Sequence, residues 1–285
     1  MKRILVATDF SEHADRALAW AAALAKRFAA ELELVTSVFV VPLAAGPHAY
    51  GIPPDYLRSV REQADRHLDE IAARLRSEGI VVRCTTLHED PSSGVCARAA
   101  EIQADLVALG TRGRSGLAHV VLGSVAERTA RLAKCPVLAL HAASPEPRAL
   151  RTLLVPMDFS PAAHRALAFA RTLLEPGGEI VLLHSITPVP SAGAPERPLE
   201  DPRAEEAART EYEKLRGSLA GVNARLVLRY GAADQAVLDA ASEISADAIV
   251  MGTRGRSGIA HVLLGSVAER VLRHATAPVF ITQPH

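Results

Sequence analysis

The sequence has no surplus charge: 32 Lys and Arg balance 32 Asp and Glu over 285 residues, so no global field is available to hold nucleic acid or an anionic membrane. It has only three cysteines, Cys84, Cys96 and Cys135, all in the first half and without CxxC spacing, which suits buried core thiols in a reducing compartment. No window is apolar for long enough to span a bilayer, and the start has too few apolar residues for a secretory signal, so a cytoplasmic location is expected. Neither G-x4-G-K-[ST] nor G-x-G-x-x-G occurs, which removes a Walker loop and a dinucleotide fingerprint. HExxH and Gly-x-Ser-x-Gly are also missing, and the adjacent loop residues His88, Glu89 and Asp90 are poorly disposed to share one metal ion.

What the chain does have is a repeat. GTRGRSGLAHVVLGSVAER at residues 110–128 returns as GTRGRSGIAHVLLGSVAER at residues 252–270, an offset of 142. Both copies read G-x2-G-x9-G-S: Gly110, Gly113, Gly123 and Ser124 are matched by Gly252, Gly255, Gly265 and Ser266. Each block follows an apolar run and leads into a helical pattern. Glycines there allow sharp turns and bring backbone N–H groups close to a ligand, and a helix start adds unpaired donors, so the pattern suits a phosphate cradle. A turn followed by a capping box, Ser124 with Glu127 and Ser266 with Glu269, accounts for the serine and glutamate alone. It leaves unexplained the spaced glycines and the basic residues Arg112, Arg114, Arg254 and Arg256.

The repeat divides the chain into domains at residues 1–141 and 151–285, joined by a short linker at 142–150 containing Pro145 and Pro147. Within each half, short β-branched runs alternate with helical patterns in the order βαβαβαβαβ. Strands separated by helices cannot pair as hairpins, so the fold class is α/β: two tandem, open, five-stranded parallel sheets with helices on both faces. The expected strands of the first half are 4–7, 32–38, 80–87, 105–109 and 136–140, with helices at 12–28, 57–77, 92–103 and 124–133. In the second half a single helix is expected over 203–219. Asp9 and Asp158 are offset by 149 rather than 142, so the second copy is seven residues shorter, and the Pro-, Gly- and Ala-rich loop after the second strand is the expected place.

Ligands of open parallel sheets bind beyond the carboxyl ends of the strands, where neighbouring connections diverge. The glycine loop after the fourth strand maps there. So does an acidic residue ending the first strand, Asp9 in Ala7-Thr8-Asp9-Phe10-Ser11 and Asp158 in Pro156-Met157-Asp158-Phe159-Ser160. A carboxylate before a Ser-started helix can equally hold a turn, and Ser160-Pro161 makes a good N-cap. Both readings of the aspartates stand open at this level. As acceptors they suit a base or ribose edge, or a bridging cation beside phosphates.

These residues together closely resemble the universal stress protein family over nearly the whole chain, as two successive domains. The resemblance implies that ATP, or ADP or AMP, is held by the motif's glycines and hydroxyl residue. Phosphate and ribose contacts then fall to Gly110, Gly113, Gly123 and Ser124 and to Gly252, Gly255, Gly265 and Ser266, with Asp9 and Asp158 at the base, flanked by Ala7 and Pro156. Ser37 and Ser185 stand where the family often has a pocket-lining valine. Arg114 and Arg256 are candidates to stabilise phosphate charge, and Asp9 and Asp158 to hold Mg through water. Pairing of the two halves through their last strands, or a homo-oligomer, is also implied. No general base is evident, so the expected role is a nucleotide-dependent regulator or sensor, with a slow Mg-dependent ATPase or a nucleotide-free scaffold as the alternatives.

Overall fold

The computed structural model describes residues 1–39, 53–112, 122–187, 201–253 and 264–283. The chain forms two compact units that change over between Ala142 and Ala143.

In the first unit, β1 (Arg3–Ala7), α1 (Glu12–Phe28), β2 (Glu31–Ser37), α2 (Pro54–Ser77), β3 (Val82–Leu87), α3 (Pro91–Glu101), β4 (Leu106–Gly110), α4 (Ser124–Leu132) and β5 (Val137–Leu140) alternate strictly. The strands lie in the order β3-β2-β1-β4-β5 and every pairing is parallel. Connections after β1 and β2 run one way across the sheet, and those after β3 and β4 run the other way. Right-handed crossovers therefore put α1 and α2 on one face and α3 and α4 on the other. The contacts agree: α1 lies on β1 and β4, α2 on β2 and β3, and α3 packs on α4.

The buried positions of α1 are Ala14, Ala17, Leu18, Trp20, Ala21, Ala22, Leu24 and Ala25, and the alanines among them let the helix approach the sheet closely. Ile4, Leu5 and Val6 are all fully buried, as expected for a strand covered on both faces.

The second unit repeats this plan with β6 (Thr152–Pro156), α5 (Pro161–Leu173), β7 (Glu179–Ile186), α6 (Pro202–Leu215), β8 (Asn223–Tyr230), α7 (Ala233–Glu243), β9 (Ala248–Gly252), α8 (Ser266–His274) and β10 (Val279–Thr282). Its strand order is β8-β7-β6-β9-β10, again parallel. Each unit thus has the expected five-stranded α/β architecture.

The differences from expectation lie at element ends. The helix expected over 203–219 stops at Leu215 and continues as a 3-10 turn, Arg216–Leu219. The expected strand over 80–87 begins at Val82, because the Ile80 amide still donates to Leu75 of the preceding helix. The cysteines are half-buried rather than wholly enclosed. Burial nonetheless pushes all three thiols up, Cys135 to about 12, so none is a thiolate near neutral pH. Among the described residues no helix is long and apolar enough to cross a membrane.

One device recurs where the first and fourth strands of each unit begin. Asp105 Oδ2 accepts from the Lys2 and Arg3 amides at 2.5 and 2.9 Å, and Asp247 Oδ2 accepts from those of Arg151 and Thr152, both at 2.8 Å. These bonds set the register of the two strands that diverge at the site.

Candidate functional site

Direct pairing of β1 with β4 and of β6 with β9 puts the strand-end aspartates and the glycine motifs at one topological switch point in each unit. The two motifs, about a hundred residues apart in sequence, become neighbours there.

The aspartates take part in the turn. Asp9 Oδ1 accepts from the Ser11 amide at 3.2 Å and from its hydroxyl at 2.6 Å, while Ser11 Oγ accepts from the Ala14 amide and caps α1. Asp158 Oδ1 accepts from the Ser160 amide at 3.0 Å, and Ser160 caps α5 with Pro161 in its first turn. The residues between them, Phe10 and Phe159, have φ of 62° and 60°. A bulky residue in this left-handed region costs about 1–2 kcal/mol. Each phenylalanine ring meets a histidine at 5.1 Å between centroids, Phe10 edge to face with His67 and Phe159 tilted by 44° against His184. The turn thus presents the aspartate at the crevice in both units, since Asp9 and Asp158 each line a cavity.

The described glycines do not owe their place to backbone conformation. None of Gly110, Gly123, Gly252 and Gly265 is among the residues with positive φ. The expectation of sharp turns at these four positions is therefore corrected, and close approach explains Gly110, Gly123 and Gly252. A Cβ at Gly110 would lie 2.6 Å from His13 Cβ, and one at Gly252 would lie 2.9 Å from Ala162 Cβ, so both glycines seat the first helix of their unit on the fourth strand. A Cβ at Gly123 would lie 3.0 Å from the Thr111 carbonyl oxygen, to which the Gly123 amide donates at 2.8 Å. Gly265 donates to Thr253 at the same distance. These amides close the loop at its base and are already committed.

The capping-box reading of Ser124 and Ser266 is corrected as well. Gly123 and Gly265 are the N-caps, the serines are the first helical residues, and neither helix has a side-chain cap bond. The first amides of an α-helix have no intrahelical acceptor, and without a capping side chain they are suited to an anion. In the first unit Ser124, Val125 and Ala126 line the cavity that Asp9 also lines. Gly113, Arg114, Gly255 and Arg256 lie outside the described residues.

Ala7 and Ser37 line the first cavity, and Pro156 and Ser185 the second. The serines act alike: Ser37 Oγ donates to the Glu89 carbonyl at 2.7 Å and Ser185 Oγ to the Gly231 carbonyl at 2.8 Å, tying the end of the second strand to the loop after the third. Glu89 precedes Asp90, which caps α3 and accepts from the Ser92 hydroxyl and the Ser93 amide. Arg128 and Arg270, from the last position of the repeated block, reach Asp90 at 3.4 Å and Asp234 at 3.1 Å and brace the helix that faces the motif helix.

The first cavity is about 600 Å³ and the second about 180 Å³. Small-molecule sites usually fall between about 300 and 1,000 Å³. One wall of the first was not anticipated: α2 supplies Tyr56, Val60, Gln63 and His67, spaced by four, three and four residues along one helical face. That spacing is legible in the sequence, but which face meets the crevice is not. Arg112 lines the same cavity. Near it, His13 and His141 rings meet edge to face at 5.0 Å, and His13 Nδ1 accepts from the Ala142 amide at 3.0 Å. Burial, with the Arg112 charge a lesser cause, holds both imidazoles below their ordinary value, so they are neutral at pH 7.

Comparison with known proteins bears on the fold and the family. The family model described as the universal stress protein family matches residues 1–141 and again 149–283. A universal stress protein of Mycolicibacterium smegmatis is 29% identical over 299 residues, covering 99% of this chain and 97% of its own length. A Methanocaldococcus jannaschii universal stress protein is 32% identical over 139 residues, covering 49% of this chain and 81% of its own. The crystal structure of a universal stress protein from Archaeoglobus fulgidus superposes with a TM-score of 0.78 at 25% identity, covering 99% of this chain and 98% of that one. With the family's domain matched twice in succession and the strand-end aspartate and glycine motif present in both copies, the chain belongs to the universal stress protein family as a tandem member.

Proposed function

We propose that this protein binds ATP or a related adenine nucleotide in the crevice of one or both units and acts as a nucleotide-dependent regulator of the stress response in the cytoplasm. The observation that carries the reading is the first cavity, which has Asp9 at the end of β1 and the uncapped start of α4 among its walls. A nucleotide has matching needs: polar acceptors for base and ribose edges, an apolar wall, and amides for phosphate oxygens. Hydrogen bonds to a charged group contribute about 1.5 to 3 kcal/mol each. Three amides of α4 together with base burial against Val35 and Val60 reach the roughly 8 kcal/mol of micromolar binding. Arg112 adds positive charge on the phosphate side, and Mg would accompany the phosphates, with Asp9 and Asp158 as candidate outer ligands through water.

Nucleotide released from freshly purified, denatured protein, identified by mass spectrometry and counted per chain, is the direct test. Bound adenine nucleotide that is lost when Ser124→Glu sets a carboxylate at the start of α4 supports the reading. Protein that is empty as purified, and whose melting temperature is unmoved by millimolar MgATP, sinks it.

A further inference from the structure

The helix after the second strand contributes differently to the two cavities. In the first unit that helix, α2, runs for 24 residues and lends Tyr56, Val60, Gln63 and His67 to the cavity wall. In the second unit its counterpart, α6, has 14 residues, and none of its described residues lines the cavity.

The orientation of α2 is set from two sides. Toward β3, the Thr86 hydroxyl donates to Asp65 and the Cys84 thiol reaches the Leu68 carbonyl at 3.6 Å. Toward the turn after β1, the His67 ring meets Phe10, which itself lines the cavity. Gln63 lies one turn before His67 and three residues after Val60, so the three share one helical face. Ala64 beside it is buried, whereas Gln63 lines the cavity and stays open to solvent.

Other polar side chains of this cavity are committed within the protein. Asp9 Oδ1 accepts from Ser11, Thr8 Oγ1 accepts from the Phe10 amide at 3.0 Å, and Ser37 Oγ donates to the Glu89 carbonyl. Gln63 has no hydrogen-bond partner among the described residues. Its carboxamide sets an acceptor beside a donor. Adenine offers the complement on one edge, the N6 amino donor beside the N7 acceptor, and a glutamine meets both at once. Hypoxanthine and guanine offer two acceptors there, O6 and N7, so one of the two bonds is lost. An acceptor-only carboxylate such as Asp9 takes an amino hydrogen but cannot satisfy N7.

We propose that Gln63 reads the N6/N7 edge of an adenine base in the first crevice, its Oε1 accepting from the amino group and its Nε2 donating to N7. This rests on the nucleotide reading of the site and adds the residue that chooses the base.

The experiment is calorimetric titration of the full chain carrying Ser266→Glu, which sets a carboxylate at the start of α8 and confines the measurement to the first crevice. The probes are ATP, 7-deaza-ATP, which has a carbon in place of N7, and inosine triphosphate. ATP should bind about tenfold tighter than either analogue. Adding Gln63→Leu should weaken ATP by about the same factor and bring the ratio of ATP to 7-deaza-ATP close to one. Gln63→Glu keeps the acceptor and loses the donor, and should also abolish that ratio. The three triphosphates share one charge, so its change of field cancels. Equal binding of ATP and 7-deaza-ATP before Gln63 is changed, or a ratio that survives both substitutions, would overturn the assignment and leave the nucleotide reading intact. No ATP bound by the wild type would overturn that reading and the assignment with it.

Discussion

The Gly123 amide donates to the Thr111 carbonyl over 2.8 Å, joining the two ends of the repeated loop before α4 begins. Thr111 is in turn tied to the Leu140 carbonyl through its own amide, so the base of the loop is anchored to β5. The start of α4 is thereby held at a set distance from β4. A larger residue at Gly123 meets backbone at 3.0 Å, whereas Ser124 carries no capping duty. Gly123→Val should therefore lower both stability and nucleotide affinity, while Ser124→Ala should spare stability to within about 0.5 kcal/mol. Paired urea titrations and ATP titrations separate the two. Equal losses of stability in both variants would refute this division of roles.

Gly110→Ala should destabilise the first unit by about 1–3 kcal/mol through overpacking, since its Cβ would stand 2.6 Å from His13 Cβ and 2.8 Å from His13 backbone carbon. Trp20, the only tryptophan of the chain, is buried on α1 and reports on this unit alone. Its fluorescence midpoint in urea should shift for Gly110→Ala and not for Gly252→Ala.

Glu33 is 4% exposed on β2, where it accepts from Arg98 Nε at 2.5 Å and from the Thr85 hydroxyl at 2.9 Å. Removing Glu33 leaves Arg98 about a quarter exposed and still paired with Glu101 at 2.8 Å, so Glu33→Ala should cost about 2 kcal/mol, the scale of one lost charged hydrogen bond. Replacing both, Glu33→Leu/Arg98→Met, should cost less than Glu33→Ala alone. Chemical denaturation of the three proteins decides it, and a double variant worse than the single one would contradict the argument.

Burial would raise the Asp105 carboxyl, but the Lys2 and Arg3 amides outweigh it and hold the group below its ordinary 3.8. A depressed carboxylate contributes stability that is complete above its unfolded value and is lost as pH falls through its folded value. Stability measured from pH 5 downward should fall more steeply in the wild type than in Asp105→Asn. Parallel acid limbs would exclude the effect.

His13 and His141 work over a higher window. Both are held below 6.5, so the unfolded chain takes up their protons first, and stability rises with pH until it levels off above 6.5. Protonation at Nδ1 of His13 would also remove the acceptor used by the Ala142 amide. Urea midpoints by Trp20 fluorescence between pH 5 and 7.5 should show this slope in the wild type and a flatter one in His13→Gln/His141→Gln.

Much of this protein was legible before its fold was known. Alternating β-branched and helical segments excluded hairpins and implied parallel sheets, because a parallel connection must cross the sheet. The 142-residue repeat implied two like units, and G-x2-G-x9-G-S with Asp9 and Asp158 marked both crevices. These properties depend on local pattern and spacing, which the chain carries in linear form. Tertiary structure decided why Gly110, Gly123 and Gly252 are glycines, since close approach to His13, Thr111 or Ala162 involves partners distant in sequence or across a loop. It turned the serine of an apparent capping box into a first-turn residue. It also set different walls around near-identical motifs, because Tyr56, Val60, Gln63 and His67 line the first cavity only once α2 packs beside β2 and β3, while Met157 and His184 line the second once β6 and β7 lie side by side.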